Sequence, residues 1–211
     1  PPSPSNDSTR GADASSGSFS PQFVTVVSAP STLADSPEDC ATRLGRALLM
    51  VALLSGCGLM APLWRAGPLA LDEHGSYWLI DSELPSSACQ RSLDYAAIPP
   101  LSAWLEQAFL YAFGRSEFVF RLPSALCYLA AIGVPWLASA HLMDRFTGGL
   151  AALLLAWHPD VDEVRIARCY GLLMLLSALL IWCTVLWRRD PRSRYWPLVW
   201  AIVAAGCLWT H

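Results

Sequence analysis

The sequence predicts an all-α fold, a polytopic bundle of transmembrane helices that follows a disordered N-terminal tail. Hydrophobic residues make up 54% of the 211 residues and charged residues only 15%, and the mean hydropathy is +0.38. The apolar residues are grouped in runs long enough for membrane helices, whereas Ser, Pro, Asp and Thr are concentrated in the first 42 residues. These observations disfavour a soluble globular domain.

Composition excludes several classes of function. The net charge is -3, and all basic residues are arginines that lie in short clusters between apolar runs, so no basic surface for nucleic acid is predicted. The seven cysteines have no CxxC or Cys/His metal spacing, which indicates neither a disulfide framework nor a zinc site. No glycine-rich phosphate loop is present, and this disfavours a soluble nucleotide-sugar enzyme.

Residues 1–42 contain few large apolar side chains, too few to offset the entropy lost when a chain becomes ordered. We therefore predict a disordered cytoplasmic tail, followed at residues 43–211 by a membrane domain. The sequence begins without Met and ends just after an apolar run. It is expected to be the N-terminal part of a longer multi-spanning protein.

The first predicted transmembrane helix covers residues 45–63. At about 1.5 Å per residue it extends over about 28 Å, close to the roughly 30 Å of a bilayer core. Arg43 and Arg46 lie at its start, whereas the loop at residues 64–97 is rich in carboxylates, among them Asp72 and Glu73. The positive-inside rule therefore places the tail in the cytoplasm and this loop outside.

Five further apolar runs are candidate membrane helices. They lie at residues 98–113, 122–140, 147–157, 171–187 and 196–209. The 147–157 run covers only about 16 Å as a helix, which is short for a bilayer. The 98–113 run contains Glu106 and Gln107, which indicates either pairing with each other or a neighbouring helix, or a segment that never reaches the bilayer centre. Gly148 and Gly149 predict a close approach of two helices in lipid.

The arginines limit how many of these runs cross. If every run crossed, a cluster of arginines after the 171–187 run would lie outside, against the positive-inside rule. The cluster consists of Arg188, Arg189, Arg192 and Arg194. An even number of crossings between residues 98 and 158 removes this conflict, so either the 98–113 or the 147–157 run is predicted not to span. The same count places Arg165 and Arg168 on the outer side with Asp72 and Glu73.

Four short motifs, taken in order, are more specific. They are Leu71-Asp72-Glu73, Asp94 with Pro99-Pro100-Leu101, FGRSEF with RLPSAL at residues 113–126, and RIARCYGLL at residues 165–173, the last followed by WTH at 209–211. Together they resemble the polyprenyl-phosphate-sugar-dependent glycosyltransferases of the GT-C class, close to protein mannosyltransferases and aminoarabinose transferases. The resemblance covers residues 71–211. One departure is Ile98, where many relatives have His or Lys.

The resemblance implies transfer of a sugar from a polyprenyl-phosphate carrier, with inversion, to an acceptor on the extracytoplasmic face. Such a transfer needs a base for the acceptor hydroxyl and positive charge for the departing phosphate. Asp72 is predicted to be the base, and Glu73 its partner or, with Asp72, a ligand of a divalent cation such as Mg²⁺ or Mn²⁺. Arg168, Arg121 and Tyr170 are predicted to contact the donor phosphate.

Asp94, Pro99 and Pro100 are predicted to set the backbone that leads into the next helix, because proline suits a first helical turn. No further cofactor is implied. The expected partners are the lipid bilayer, the polyprenyl-phosphate-linked sugar and an acceptor that is a protein, a lipid or a glycan.

Plainer interpretations stay open. Loop carboxylates are commonly solvated, Arg121 could be a topology anchor, and interfacial tyrosines such as Tyr170 commonly belong to the aromatic belt. A transporter or lipid flippase would carry charges deep inside several spans, whereas the charges here cluster in loops and at span ends. A non-catalytic, degenerate relative is the other alternative, which the Ile98 departure leaves open.

Overall fold

The computed structural model describes residues 37–65, 68–69, 71–81, 87–96, 100–159, 164–166 and 168–210. Within these residues the chain is almost entirely helical and forms no strand, which confirms the all-α prediction. The first helix begins at Pro37, inside the segment assigned to the tail. The rest of the predicted disordered tail, residues 1–36, lies outside the described residues.

Eight α-helices are seen in the described part of the chain. They are α1 (Pro37–Met60), α2 (Leu71–Ile80), α3 (Ala88–Arg91), α4 (Leu101–Phe113), α5 (Glu117–Leu142), α6 (Arg145–Ala156), α7 (Tyr170–Arg189) and α8 (Tyr195–Leu208). A 3₁₀ turn, Ala61–Arg65, extends α1, and a π-helical turn, Ser92–Ala96, extends α3. Three segments are long and apolar enough to cross a membrane: Glu38–Leu63, Glu117–Leu142 and Tyr170–Arg189. Helices α6 and α8 are shorter apolar helices.

Local capping fixes where the central helices begin. The Ser116 hydroxyl accepts the backbone N–H of Val119 at 3.2 Å, and the Asp144 carboxylate accepts that of Thr147 at 2.7 Å. Gly114, with φ of 88°, lets the chain leave α4 and turn into α5, a conformation that a side chain would oppose. The Ser116 cap therefore fixes the helical turn of α5 that contains Arg121.

Helices α1 and α6 run side by side in the same direction. Near their starts, Gly45 of α1 lies against the backbone of Arg145 and Gly149 in α6. Beyond the end of α6, the Arg165 guanidinium donates to the carbonyl oxygen of Leu59, near the end of α1, at 2.7 Å. The contact at Gly149 confirms the close helix approach that the paired glycines predict.

Helices α5 and α7 run in the opposite direction to α1 and α6. The Ser124 hydroxyl near the start of α5 donates to the carbonyl oxygen of Val164 at 3.0 Å. Val164 directly precedes Arg165, which contacts the end of α1, so the start of α5 lies near the end of α1. At the far ends of α5 and α7, the Arg189 guanidinium lies 3.1 Å from Nδ1 of His141. Helix α8 then runs back along α7, since the Trp200 indole donates to the Thr184 hydroxyl at 3.0 Å.

Helix α4 lies at one end of this bundle. Its first residue, Leu101, donates its backbone N–H to the carbonyl oxygen of Trp209, just past the end of α8, at 3.2 Å. Its last residue, Phe113, is separated from α5 only by a short turn. Both ends of α4 therefore lie where α1 and α8 finish and α5 and α7 begin, which we name the site end. Helix α4, which is the described helix of the 98–113 run, thus does not pass through the bundle.

The core lies where α5 packs between α1 and α6. Tyr128 and Ile132 of α5 are fully buried against small residues, Ala52 of α1 and Ala152 and Ala156 of α6. The Tyr128 hydroxyl is satisfied because it donates to the Ala156 carbonyl oxygen at 2.7 Å. Small residues let the helix backbones approach closely, as is common in membrane bundles. This packing fixes the position of α5 relative to α1 and α6.

Candidate functional site

Helix α2 places the predicted acidic pair at the site end. Asp72 and Glu73 lie in its first turn, where the helix dipole favours negative charge. The Glu73 side chain is only 1% exposed. The Asp72 side chain lies outside what the structure describes, so its predicted role as base stays a prediction.

Glu73 and Arg121 form a buried ion pair. The Nε and Nη2 atoms of Arg121 donate to the two carboxylate oxygens of Glu73 at 2.6 and 2.5 Å. This two-point geometry is the strongest form of carboxylate recognition by arginine. Both were predicted as site residues, and the structure brings them together, although the sequence did not predict that they pair. The pair ties α2 to the start of α5.

Glu106 of α4 joins this pair to form a cluster. It is 6% exposed, and its helix is not one of the three segments that are long and apolar enough to cross a membrane. Burial raises the pKa of Glu106 to about 8, and the negative charge of Glu73 adds to the rise. At neutral pH Glu106 is therefore mostly protonated. We call Glu73, Glu106 and Arg121 the carboxylate–arginine cluster, which carries no net charge when Glu106 is neutral.

The segment before α7 brings Arg168 to the same side of the bundle. Burial raises the pKa of the Cys169 thiol, the charge of Glu106 adds to this rise, and the charge of Arg168 opposes it. The Cys169 thiol is thus within electrostatic range of both Arg168 and Glu106. Tyr170 is the first residue of α7 and is half-buried. Arg165 is used differently, since its guanidinium anchors this segment to the end of α1.

The residues predicted to shape the approach to α4 are only partly described. Asp94 is exposed in the π-helical turn after α3, and Pro99 lies outside the described residues. Pro100 is buried and directly precedes α4, where the missing N–H of proline costs no helical hydrogen bond. The backbone role predicted for these three residues stays a prediction.

Arg91 is a buried residue of this region that the sequence analysis missed. Its Nε and Nη2 atoms donate to the carbonyl oxygens of Leu79 and Asp81 at 3.0 and 2.7 Å, and its side chain lies 6.0 Å from the Trp78 ring. It therefore satisfies carbonyl groups that helix α2 leaves open at its C-terminal end. In the sequence it is one arginine in a polar loop, and nothing there indicates this contact.

Replacing Arg91 by Met is expected to lower the free energy of unfolding by about 2–4 kcal/mol. The change removes the buried guanidinium and, with it, the two hydrogen bonds that it donates to carbonyl oxygens of the backbone. Arg91→Lys should lose less, since an ammonium group can still reach one carbonyl. Chemical denaturation in mixed micelles measures both. Equal stability of Arg91→Met and wild type would contradict this capping role.

A cavity of about 580 Å³ opens between α2 and α4 at the site end. It is lined by Tyr77, Ile80, Asp81, Trp104, Gln107, Ala108, Leu110, Tyr111 and Arg115. The Asp81 and Arg115 side chains pair at 3.7 Å. Apolar walls with a few converging polar groups are typical of a small-molecule site.

The predicted divalent cation finds little support in this arrangement. Both carboxylate oxygens of Glu73 accept hydrogen bonds from Arg121. Within the described part of the chain, no group of three or more His, Cys, Asp or Glu residues is placed to hold a metal ion. Glu73 in this state does not fit a metal ligand, and we derive no step through a metal.

Residues 97–210 match the family model described as dolichyl-phosphate-mannose-protein mannosyltransferase. The matched segment is more than half of the chain and includes Arg121, Arg168 and Tyr170, but not Asp72 or Glu73. No curated protein and no solved structure matches the chain.

Proposed function

Because the chain belongs to the dolichyl-phosphate-mannose-protein mannosyltransferase family, of membrane glycosyltransferases of the GT-C type, we propose a specific reaction for it. The protein takes a sugar from a polyprenyl-phosphate carrier and transfers it to an acceptor on the extracytoplasmic face. The configuration at the anomeric carbon is inverted. The integral membrane location follows from the family and from the three long apolar helices.

The distribution of arginines supports the outer location of the site end. Several arginines lie at the opposite end of the bundle, near the start of α1, the start of α6 and the turn between α7 and α8. They are Arg43, Arg46, Arg145, Arg188, Arg189, Arg192 and Arg194. By the positive-inside rule that end faces the cytoplasm. The site end, with α2 and the carboxylate–arginine cluster, then faces outward.

In the proposed mechanism Asp72 is the general base. Its carboxylate takes the proton of the acceptor hydroxyl as that oxygen attacks the anomeric carbon from the face opposite the phosphate. The bond between the anomeric carbon and the phosphate oxygen breaks, and its electron pair leaves on the polyprenyl phosphate. Arg168 and Arg121 stabilise the charge that develops there, with Tyr170 as a further contact. Glu73 is the partner that orients Asp72.

The observation that carries this proposal is the buried ion pair between Glu73 and Arg121. Arg121 lies in the segment that matches the family, whereas Glu73 lies in α2, ahead of that segment. The pair holds the first turn of α2, and with it Asp72, against the family segment. This tie between α2 and α5 supports the proposal, because a transfer between two bound substrates requires the proposed base and the proposed phosphate-binding arginine to keep a fixed separation.

Replacing Asp72 by Asn is expected to lower the release of polyprenyl phosphate at least about 100-fold, because the amide cannot accept the proton. The assay uses membranes with the full-length protein and a panel of radiolabelled polyprenyl-phosphate hexoses. Asp144→Asn is the matched control, since Asn also caps a helix and Asp144 lies at the opposite end of the bundle.

Release by Asp72→Asn at the wild-type rate, with equal membrane insertion, would remove Asp72 from the mechanism. No release by the wild-type protein from any donor would contradict the proposed function itself. That outcome would favour a transporter or a non-catalytic relative.

A further inference from the structure

Glu106 is a buried carboxyl group that the mechanism above does not use. It lies on α4 with 6% of its surface exposed. Ionising a carboxyl group that has lost most of its contact with water costs free energy. The site therefore favours the neutral acid.

Ionisable groups from two neighbouring segments interact electrostatically with Glu106. Glu73 approaches it from α2 and is already neutralised by Arg121 of α5. The segment before α7 contributes the Cys169 thiol, which also senses Arg168. Ionisation of Glu106 would thus add a second negative charge near that of Glu73.

Groups on the other elements beside α4 are directed elsewhere. Arg91 of α3 donates to two carbonyl oxygens at the end of α2. Arg115, just before α5, pairs with the Asp81 carboxylate at 3.7 Å at the protein surface. Cys207 of α8 is a half-buried thiol. The charge of the carboxylate–arginine cluster is therefore set by the protonation of Glu106.

We propose that Glu106 is a positioning residue for the anionic lipid donor. Its neutral form leaves Arg121 paired with Glu73 and the cluster without net charge, and its ionised form gives the cluster a negative charge that repels the donor phosphate. This inference rests on the proposed function. Burial and the charge of Glu73 bring the pKa of Glu106 to about 8, so the change falls in a range that kinetics can reach.

The test is the pH dependence of KM for a polyprenyl-phosphate hexose with the full-length enzyme, from about pH 6 to about pH 10, which brackets the titration. In wild type, KM for the donor should rise roughly tenfold across this range, because a unit negative charge appears near the phosphate, whereas kcat changes less. Glu106→Gln, which cannot ionise, should lose this rise. Glu106→Asp, which keeps a titrating carboxyl, should retain it.

The same rise of KM in wild type and in Glu106→Gln would overturn the inference and leave the proposed function intact. No transfer by wild type at any pH would instead overturn the proposed function. If Glu106→Gln fails to fold, Glu106→Met supplies the same comparison, since it is also neutral and of similar length.

Stability gives a readout that does not depend on transfer. Because folding raises the pKa of the Glu106 carboxyl, this group stays protonated to a higher pH in the folded state than in the unfolded state. Its contribution to stability is complete below the unfolded pKa of about 4.3 and is lost as the pH rises through the folded pKa. Between about pH 5 and about pH 8, wild type should therefore lose melting temperature relative to Glu106→Gln. Parallel curves would overturn the inference.

Discussion

Replacing Glu73 by Gln, or Arg121 by Met, is expected to lower the free energy of unfolding by about 3–5 kcal/mol, because either change leaves one charge of a buried pair without its partner. Glu73 and Arg121 are only 1% and 8% exposed, so water cannot replace the lost partner. Chemical denaturation of the full-length protein in mixed micelles measures the loss. Sugar transfer per folded molecule should fall roughly 100-fold, since α2 and Asp72 are no longer held against α5.

The surface pair of Asp81 and Arg115 is the matched control. It also connects α2 to the region where α5 begins, but from the opposite end of α2, at 3.7 Å and with side chains 26% and 46% exposed. Arg115→Met should therefore cost less than about 1 kcal/mol. If Arg121→Met proved no more destabilising than Arg115→Met, the buried pair would not be the tie between α2 and α5.

The double variant Glu73→Gln with Arg121→Met separates stability from function. Removing both charges leaves no uncompensated ion in the core, so the double variant should be more stable than either single variant. Transfer should stay low, because neither the guanidinium for the phosphate nor the hold on α2 is restored. Recovery of transfer along with stability would show that the pair acts only through folding.

The apolar helices were predictable from the sequence because each is built from a long apolar run. Helices α2 and α3 were not, and the interval 64–97 was interpreted as a loop. Helix α2 contains His74 and Gly75 among its acidic and aromatic residues and has no clear apolar stripe. It folds because it packs against the start of α5, a long-range contact that no local pattern encodes.

Helix α4 illustrates what hydropathy can and cannot decide. The 98–113 run is apolar enough to resemble a span, and only the arginine distribution and Glu106 indicated an exception. The structure places both ends of α4 at one end of the bundle, so this helix does not pass through the bundle. Pairing of Glu106 with Gln107 is not seen, since the Gln107 amide is directed to the carbonyl oxygen of Ile80 at 3.5 Å.

The sequence analysis selected individual candidate residues but did not predict how they are arranged. Motif resemblance selected Glu73 and Arg121 separately, and the two residues are 48 positions apart in the sequence. Their contact depends on α2 returning over the start of α5, which spacing cannot show. Arg91 was missed for a related reason, because its partners are backbone carbonyl oxygens and leave no trace in the sequence.

Adding a methyl group at the crossing of α1 and α6 is the second change with a large expected effect. A Cβ at Gly45 would overlap the carbonyl oxygen of Arg145, and a Cβ at Gly149 would overlap that of Gly45. These are backbone atoms and cannot rotate away as a side chain would. Gly45→Ala and Gly149→Ala should each lower the free energy of unfolding by about 1–3 kcal/mol, the usual cost of overpacking, measured by denaturation in mixed micelles.

Gly58→Ala is the matched control in the same helix, because a Cβ at Gly58 meets nothing within 4 Å. At Gly58 the main effect of alanine is to lower the conformational entropy of the unfolded chain, so less entropy is lost on folding. The free energy of unfolding should therefore rise by up to about 1 kcal/mol. Opposite signs at Gly45 and Gly58 are expected, and equal effects would contradict a tight crossing. Gly45 lies at the end of the bundle opposite α2, so Gly45→Ala should reduce the amount of folded protein without changing transfer per folded molecule. Changes at Glu73 or Arg121 should reduce both.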